Sequence, residues 1–229
     1  MRRLLEELSR YDTPTVANAA ALLQRRDPSL GFAGPDVRAL TPEFGIRVGV
    51  AVTARLDTTS AGMDEPPDLF PEWLRLIAKA GAQGTIPVIG VIEAVGPRPR
   101  HTVTIGDCMG TLMRLAGAVG MVTNGCIRDI AGVRKVPMAC WGCGFTPMHA
   151  ALRWSGLNET VYIDGMPVKP GDIIHADENG VIVLPPEDLA DICAKVPEVV
   201  NKERQLFEAV KKGGMTIEDY LRSIGLAGQ

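Results

Sequence analysis

The sequence has little of what announces the commonest functions. No apolar run approaches the roughly 18 residues that a membrane-spanning helix needs. The opening MRRLLEELSRYDTPT sets Leu4, Leu5 and Leu8 at helical spacing, without the continuous apolar stretch of a secretory leader. A cytoplasmic protein with no membrane partner is the expectation. The net charge of −3 comes with no block of lysine or arginine, which argues against a nucleic-acid partner. A P-loop, a glycine-rich dinucleotide fingerprint and a G-x-S-x-G elbow are missing, so the usual nucleotide and hydrolase chemistries lack their motif. The three histidines, His101, His149 and His175, stand singly and read as structural or exposed residues, so a metal here would be a hard, oxygen-bound ion. Five cysteines, an odd number in a chain of this size, point to reduced thiols. Cys140 and Cys143 make a C-x-x-C, but no second pair completes a zinc ribbon, and ordinary buried thiols are expected.

What is present is an average globular composition, 46% hydrophobic and 22% charged over 229 residues, read as one domain spanning 1–229. After the Leu4/Leu5/Leu8 stripe, Thr13-Pro14 reads as the cap and first-turn proline of a helix reaching Leu23. The valine-rich IRVGVAVTARL (46–56) and IPVIGVIEAV (86–95) read as buried strands. Between them a helix sets Leu69, Trp73, Leu76 and Ile77 on one face. Another helix is predicted from Asp107 to Gly117, feeding a strand from Val119 to Thr123, the turn Asn124-Gly125 and a short strand around Val136 to Cys140. This is the alternation of an α/β layer. The second half changes to short strands, with a hairpin through Asp164-Gly165, then IIHAD, then VIVLP after Asn179-Gly180. A long helix from Glu187 to Lys212 is stopped by Gly213-Gly214, and a last one covers Ile217 to Ile224.

The residues with most chemistry in them are Asp107, at a predicted helix start, and Arg128-Asp129, just past a strand end at a glycine turn. Strand ends of this kind are where α/β sheets bind ligands. Taken singly, the first reads as a helix cap and the second as a solvated pair. Together they could bring two carboxylates and a guanidinium to one place.

The surrounding pattern, Gly106-Asp107-Cys108-Met109 and then GMVTNGCIRD from Gly120 to Asp129, resembles the signature of the RraA-like family. That family includes the 4-hydroxy-4-methyl-2-oxoglutarate and 4-carboxy-4-hydroxy-2-oxoadipate aldolases, which carry an acidic residue, twenty intervening residues and Arg-Asp. Asp107 and Arg128 have that spacing. DTPTVANAA and VKPGDIIHADENGVIVLP resemble two further blocks, so the likeness spans nearly the whole chain. It departs in two places. Asn124-Gly125 stands where the family has Asp-Gly, which keeps the turn chemistry, and the 58–79 segment is longer, which bears on substrate access.

The resemblance implies an α/β fold, an αββα sandwich whose central mixed sheet is flanked by helices and followed by a C-terminal helical tail. It implies a lyase of the class II pyruvate aldolase type. Such an enzyme cleaves a 4-hydroxy-2-keto di- or tricarboxylic acid to pyruvate and decarboxylates oxaloacetate as a side activity, since both reactions pass through pyruvate enolate. On this reading Asp129 ligates Mg²⁺ or Mn²⁺, Asp107 holds the ion through a water and helps move a proton, and Arg128 faces the keto oxygen. The backbone N–H groups of Cys108 and Met109 suit the substrate carboxylate. The base for the C4 hydroxyl would be Glu203, or Glu198 or Glu208 in another register, from a neighbouring subunit of a homotrimer or homohexamer with inter-subunit sites. By spacing alone those glutamates read as the charged face of an amphipathic helix. The alternative on the same fold is a non-catalytic RraA-type regulator that inhibits an RNA-degradation enzyme; such regulators lack the acidic residue at the position of Asp107. A menaquinone-precursor methyltransferase, a label sometimes attached to the family, would want a glycine-rich nucleotide loop that this chain lacks.

Overall fold

The structure, a computed structural model, describes residues 1–58, 68–148 and 152–226. Helices α1 (Arg2–Leu8) and α2 (Thr13–Ala21) precede strands β1 (Arg38–Ala39) and β2 (Arg47–Asp57). Helix α3 (Phe70–Ala80) leads to β3 (Val88–Val95), and β4 (Val103–Ile105) to α4 (Asp107–Leu115). Then come β5 (Ala118–Thr123), β6 (Cys126–Ile127) and the single turn α5 (Ile130–Val133). The second half runs β7 (Ala139–Gly142), β8 (Gly144–Phe145) and β9 (Arg153–Leu157), the hairpin β10 (Val161–Ile163) and β11 (Met166–Val168), and the pair β12 (Ile173–Asp177) and β13 (Gly180–Leu184). Helices α6 (Leu189–Lys212) and α7 (Ile217–Ser223) follow.

The central sheet is mixed, in the order β1-β7-β5-β3-β2-β12-β13, with β9 also paired to β2. Its middle, β2-β3-β5-β7, is parallel, and the flanking pairings are antiparallel. The eleven residues of β2 serve three neighbours: β12 pairs with Arg47–Val50 and β9 with Ala54–Asp57 along one edge, while β3 takes the other. Both sheet faces are covered, so these strands read as continuous apolar runs. On β3, Val88 and Ile92 pack with Trp73 and Ile77 of α3 and Met113 of α4, whereas Ile89 and Val91 face the β10–β11 hairpin through Val161, Ile163 and Val168. Gly90 lies on the first face because the Trp73 ring needs the room: a Cβ there would come within 2.9 Å of it.

The far end of the sheet is closed by α1, α2 and α6 over β12 and β13, with Leu5, Leu8, Val16, Ile192 and Val196 in one cluster. A buried polar group ties these layers together. His175 Nε2 lies 3.2 Å from the Leu8 carbonyl, which can only accept, so the neutral ring donates there and accepts at Nδ1 from the Thr13 hydroxyl at 3.0 Å. The Thr13 N–H in turn donates to Asp177 at 2.8 Å. Thr13 is therefore not the helix cap expected from the sequence. Asp12 is, accepting from the Thr15 N–H at 2.9 Å, with Pro14 in the first turn.

The fold class is the expected mixed α/β arrangement with a C-terminal helical tail. Unexpected are β1, β4, β6, β8 and β9, mostly strands of two or three residues, too short to carry a periodicity.

Candidate active site

The chemistry is positioned by a second, smaller sheet in which β4, β6 and β8 run parallel. Ile105 is in register with Ile127, and the Arg128 N–H donates to the Ile105 carbonyl at 3.1 Å. Parallel strands release their chains from the same edge, so Gly106-Asp107 after β4 and Arg128-Asp129 after β6 emerge side by side. Arg128-Asp129 thus follows β6 and its turn, not the end of β5 as the sequence led us to expect.

Local backbone form then aims the side chains. Asp129 sits in the left-handed region at φ 56°, ψ 41°, and its carbonyl accepts from the Gly132 and Val133 N–H groups, each at 2.8 Å, to start α5. Its Oδ2 lies 3.2 Å from Arg128 Nε. Asp107 is the first residue of α4 after the cap Gly106, and its Oδ1 accepts the Cys108 N–H at 2.7 Å. Two glycines make room for the carboxylates. A Cβ on Gly106 would stand 2.6 Å from Asp129 Oδ2 and 3.3 Å from Arg128 Nε, and one on Gly132 would fall onto the Asp107 carboxylate. Neither glycine has a positive φ, so space, not backbone freedom, calls for them.

These groups open onto a cavity of about 160 Å³. Its lining combines Asp107, Arg128 and Asp129 with the apolar Leu56, Val103, Met109, Leu152 and Trp154. Trp154 is fixed from behind, its ring stacked on Phe70 at 5.9 Å and tilted against Trp73 at 5.7 Å. A larger cavity, about 640 Å³, lies between α2 and β13 and is lined by none of the predicted site residues. Among the described residues no cluster of three or more His, Cys, Asp or Glu could cage a metal ion. Two carboxylates beside an open cavity instead fit a hard ion that keeps most of its waters, such as Mg²⁺ or Mn²⁺.

Other predicted residues fall elsewhere. The Cys108 N–H expected to meet a substrate carboxylate is already taken by Asp107, leaving Met109 as the amide of that first turn to do so. Glu203, Glu198 and Glu208 ride on α6, outside the cavity lining, and Glu198 pairs with Lys195 at 2.8 Å. Cys140 and Cys143 do not act as a pair. Cys143 Sγ lies 3.6 Å from Cys126 Sγ, and burial pushes the thiols of both Cys140 and Cys143 up to about 12. Cys108 is exposed. His101 is exposed and His175 structural, while His149 and residues 59–67 of the long segment lie outside the described residues. Leu56, Leu152, Trp154 and Gly132 were not singled out from the sequence, since nothing in their local pattern separates a cavity wall from core.

The chain is 31% identical over 124 residues to an uncharacterized protein of Methanocaldococcus jannaschii, covering 54% of this chain and 60% of the relative. It is 33% identical over 96 residues to a Hahella chejuensis protein provisionally named 4-hydroxy-4-methyl-2-oxoglutarate aldolase, covering 42% of this chain and 58% of that one. The chain thus spans about three fifths of the length of these curated relatives. In structure it is similar to Streptomyces coelicolor RraAS2, an unusual member of the RNase ES inhibitor RraA protein family. The TM-score is 0.68 at 22% identity, over 90% of this chain and 95% of that one. Residues 13–183 match the Aldolase/RraA profile, and the chain belongs to the RraA-like family.

Proposed function

We propose that the chain is a divalent-metal-dependent carbon–carbon lyase, a class II pyruvate aldolase with oxaloacetate decarboxylase side activity. The observation that supports this most is the convergence of Asp107, Arg128 and Asp129 on one cavity of about 160 Å³ whose remaining lining is mostly apolar. The provisional aldolase name of the Hahella relative points the same way. The proposed substrate is a 4-hydroxy-2-keto acid, di- or tricarboxylic if the family resemblance is followed, and the product shared with decarboxylation is pyruvate.

Asp129, with Asp107 acting through a water, would hold Mg²⁺ or Mn²⁺, and the bound ion would supply a Lewis acid for the keto oxygen. Arg128, always cationic and forked, stabilises the negative charge that grows on that oxygen as the C3–C4 bond breaks. The Met109 amide in the first turn of α4 orients the substrate carboxylate. The C4 hydroxyl proton passes to a carboxylate base, assigned to Glu203 of a neighbouring copy in a homotrimer or homohexamer, and Asp107 returns a proton to the enolate carbon. Asp107 also separates this reading from the regulator reading, in which no acidic residue is needed there.

The test is pyruvate release from oxaloacetate and from 4-hydroxy-4-methyl-2-oxoglutarate, with Mg²⁺ and with EDTA. Wild type is expected to turn over only with the metal, and Arg128→Ala and Asp129→Ala to lose about 100-fold or more in kcat. A wild-type protein inert toward both substrates with every divalent metal, and unable to exchange the methyl protons of pyruvate, would send the reading to the regulator or to a substrate outside the pyruvate aldolases.

A further inference from the structure

Arg128 is the one cation among the described residues that line the cavity, so the lining of one chain offers no second positive charge to a second carboxylate. Leu56, Val103, Leu152 and Trp154 make up an apolar wall in that lining. Thr104, the hydroxyl of the lining, already donates to the Cys126 carbonyl at 3.1 Å.

Two arginines lie next to this wall in sequence, but neither serves it. Leu56 and Trp154 are cross-strand partners in the β2–β9 register, and so are their successor and predecessor, Asp57 and Arg153. Side chains alternate along a strand, so Asp57 and Arg153 point to the face away from Leu56 and Trp154. There Arg153 pairs with Asp57 at 3.0 Å. Arg55 is engaged by Glu93 and by Glu159, at 3.1 Å each, and donates to the Thr160 carbonyl at 3.0 Å. Within one chain, both arginines beside the apolar wall are thus ion-paired, although Arg153 Nε is buried without a hydrogen-bond partner. A carboxylate pressed against that wall would lose its water and gain no partner from the same chain, in a cavity that Asp107 and Asp129 also line.

We propose that the preferred substrate is a monocarboxylic 4-hydroxy-2-keto acid whose C4 substituent is apolar, in place of the di- and tricarboxylic acids that the family resemblance suggests. The inference rests on the aldolase reading above. The 1-carboxylate and 2-keto oxygen lie toward Arg128 and the start of α4, and the alkyl or aryl group on C4 lies against Leu152 and Trp154. Cleavage moves the C4 hydroxyl proton to the base and the C3–C4 electron pair into the C2–C3 bond, with the keto π pair going to oxygen. C4 leaves as the carbonyl carbon of an apolar aldehyde or ketone, and the enolate takes a proton at C3 to become pyruvate. Trp154, held by Phe70 and Trp73, gives the wall a fixed shape that favours a flat or branched substituent.

The test compares kcat/KM for 4-hydroxy-2-oxoheptanoate and for 4-hydroxy-4-methyl-2-oxoglutarate on the Mg²⁺-loaded wild-type protein. Alongside it, NMR follows exchange of the pyruvate methyl protons with deuterium, which reports enolate formation whatever the distal group. Thermal shifts with 2-oxoheptanoate and 2-oxoglutarate, which lack the 4-hydroxyl and cannot be cleaved, read binding alone. At least a tenfold preference for the heptanoate, with exchange and the larger shift for 2-oxoheptanoate, is the expected result. Leu152→Arg, at a half-buried position, should narrow or reverse that preference. Exchange together with an equal or higher kcat/KM for the dicarboxylate would overturn the inference and leave the aldolase reading standing. Absence of both exchange and cleavage would overturn the two together.

Discussion

Asp129 shows most directly how one position can trade stability for chemistry. An L-residue in the left-handed region costs on the order of 1–2 kcal/mol, and aspartate bears that conformation better than most residues but less well than glycine. Its neighbour bond to Arg128 joins two partly exposed groups and returns little. The Asp129→Gly protein is therefore expected to be more stable than wild type by about 0.5–1 kcal/mol in urea denaturation, and to lose metal-dependent pyruvate release. An unchanged or lowered midpoint would mean that the carboxylate, not the backbone form, carries the local stability. At this scale much of the candidate site was legible: Asp107, Arg128 and Asp129 were picked out by their places at a helix start and a strand end and by the family resemblance, and they do meet at one cavity. Gly132 and Trp154 were not, because a glycine that spares a carboxylate and a tryptophan at a cavity wall look, in one dimension, like any turn glycine and any core aromatic.

At the scale of elements, the long strands and helices could be read because burial on two faces, or on one, leaves a pattern over eight or more residues. The strands that place the site could not, because β4, β6 and β8 have two or three residues each and owe their existence to one another. The C-terminal helix shows the opposite disparity, plain in sequence but only half used within one chain. The buried residues of α6 are Leu189, Ile192, Val196 and Val199. Beyond them Phe207 is 67% exposed and Val210 63%, and α7 buries nothing. A helix end with no apolar face to cover contributes little to the fold. Deleting residues 201–229 is expected to leave the melting temperature of the folded chain within about 3 °C, since a loss of less than about 1 kcal/mol moves a protein of this size by no more than that. If Glu203 supplies the aldol base to a neighbouring copy, the same deletion should abolish C–C cleavage and spare oxaloacetate decarboxylation, which needs no C4 base. Equal loss of both activities would place the base elsewhere.

Across the whole molecule, the N-terminal helices are fastened to the sheet through a group that stays neutral. His175 spans α1, α2 and β12, and its buried ring donates to Leu8 and accepts from Thr13. Burial holds its pKa below the usual histidine value, against the weaker opposing pull of the Leu8 carbonyl and of Asp177 and Asp12. The sign of the consequence follows from linkage. Above the unfolded value of about 6.5 neither state carries the proton and the group contributes no pH dependence. As the pH falls below 6.5 the unfolded chain takes up a proton that the folded ring refuses, so stability drops until the lowered folded pKa is reached, and then levels off. A protonated ring would also have to give up the Thr13 hydroxyl as donor, because both nitrogens would then donate. Urea denaturation between pH 7.5 and 5.0 should therefore show a decline in wild type that is shallower in His175→Gln. That variant should itself be less stable at pH 7.5 by about 1–3 kcal/mol, for the buried partners left unsatisfied. Parallel pH profiles for the two proteins would mean that carboxylates elsewhere, and not this pin between the helices and the sheet, set the acid limit of the fold.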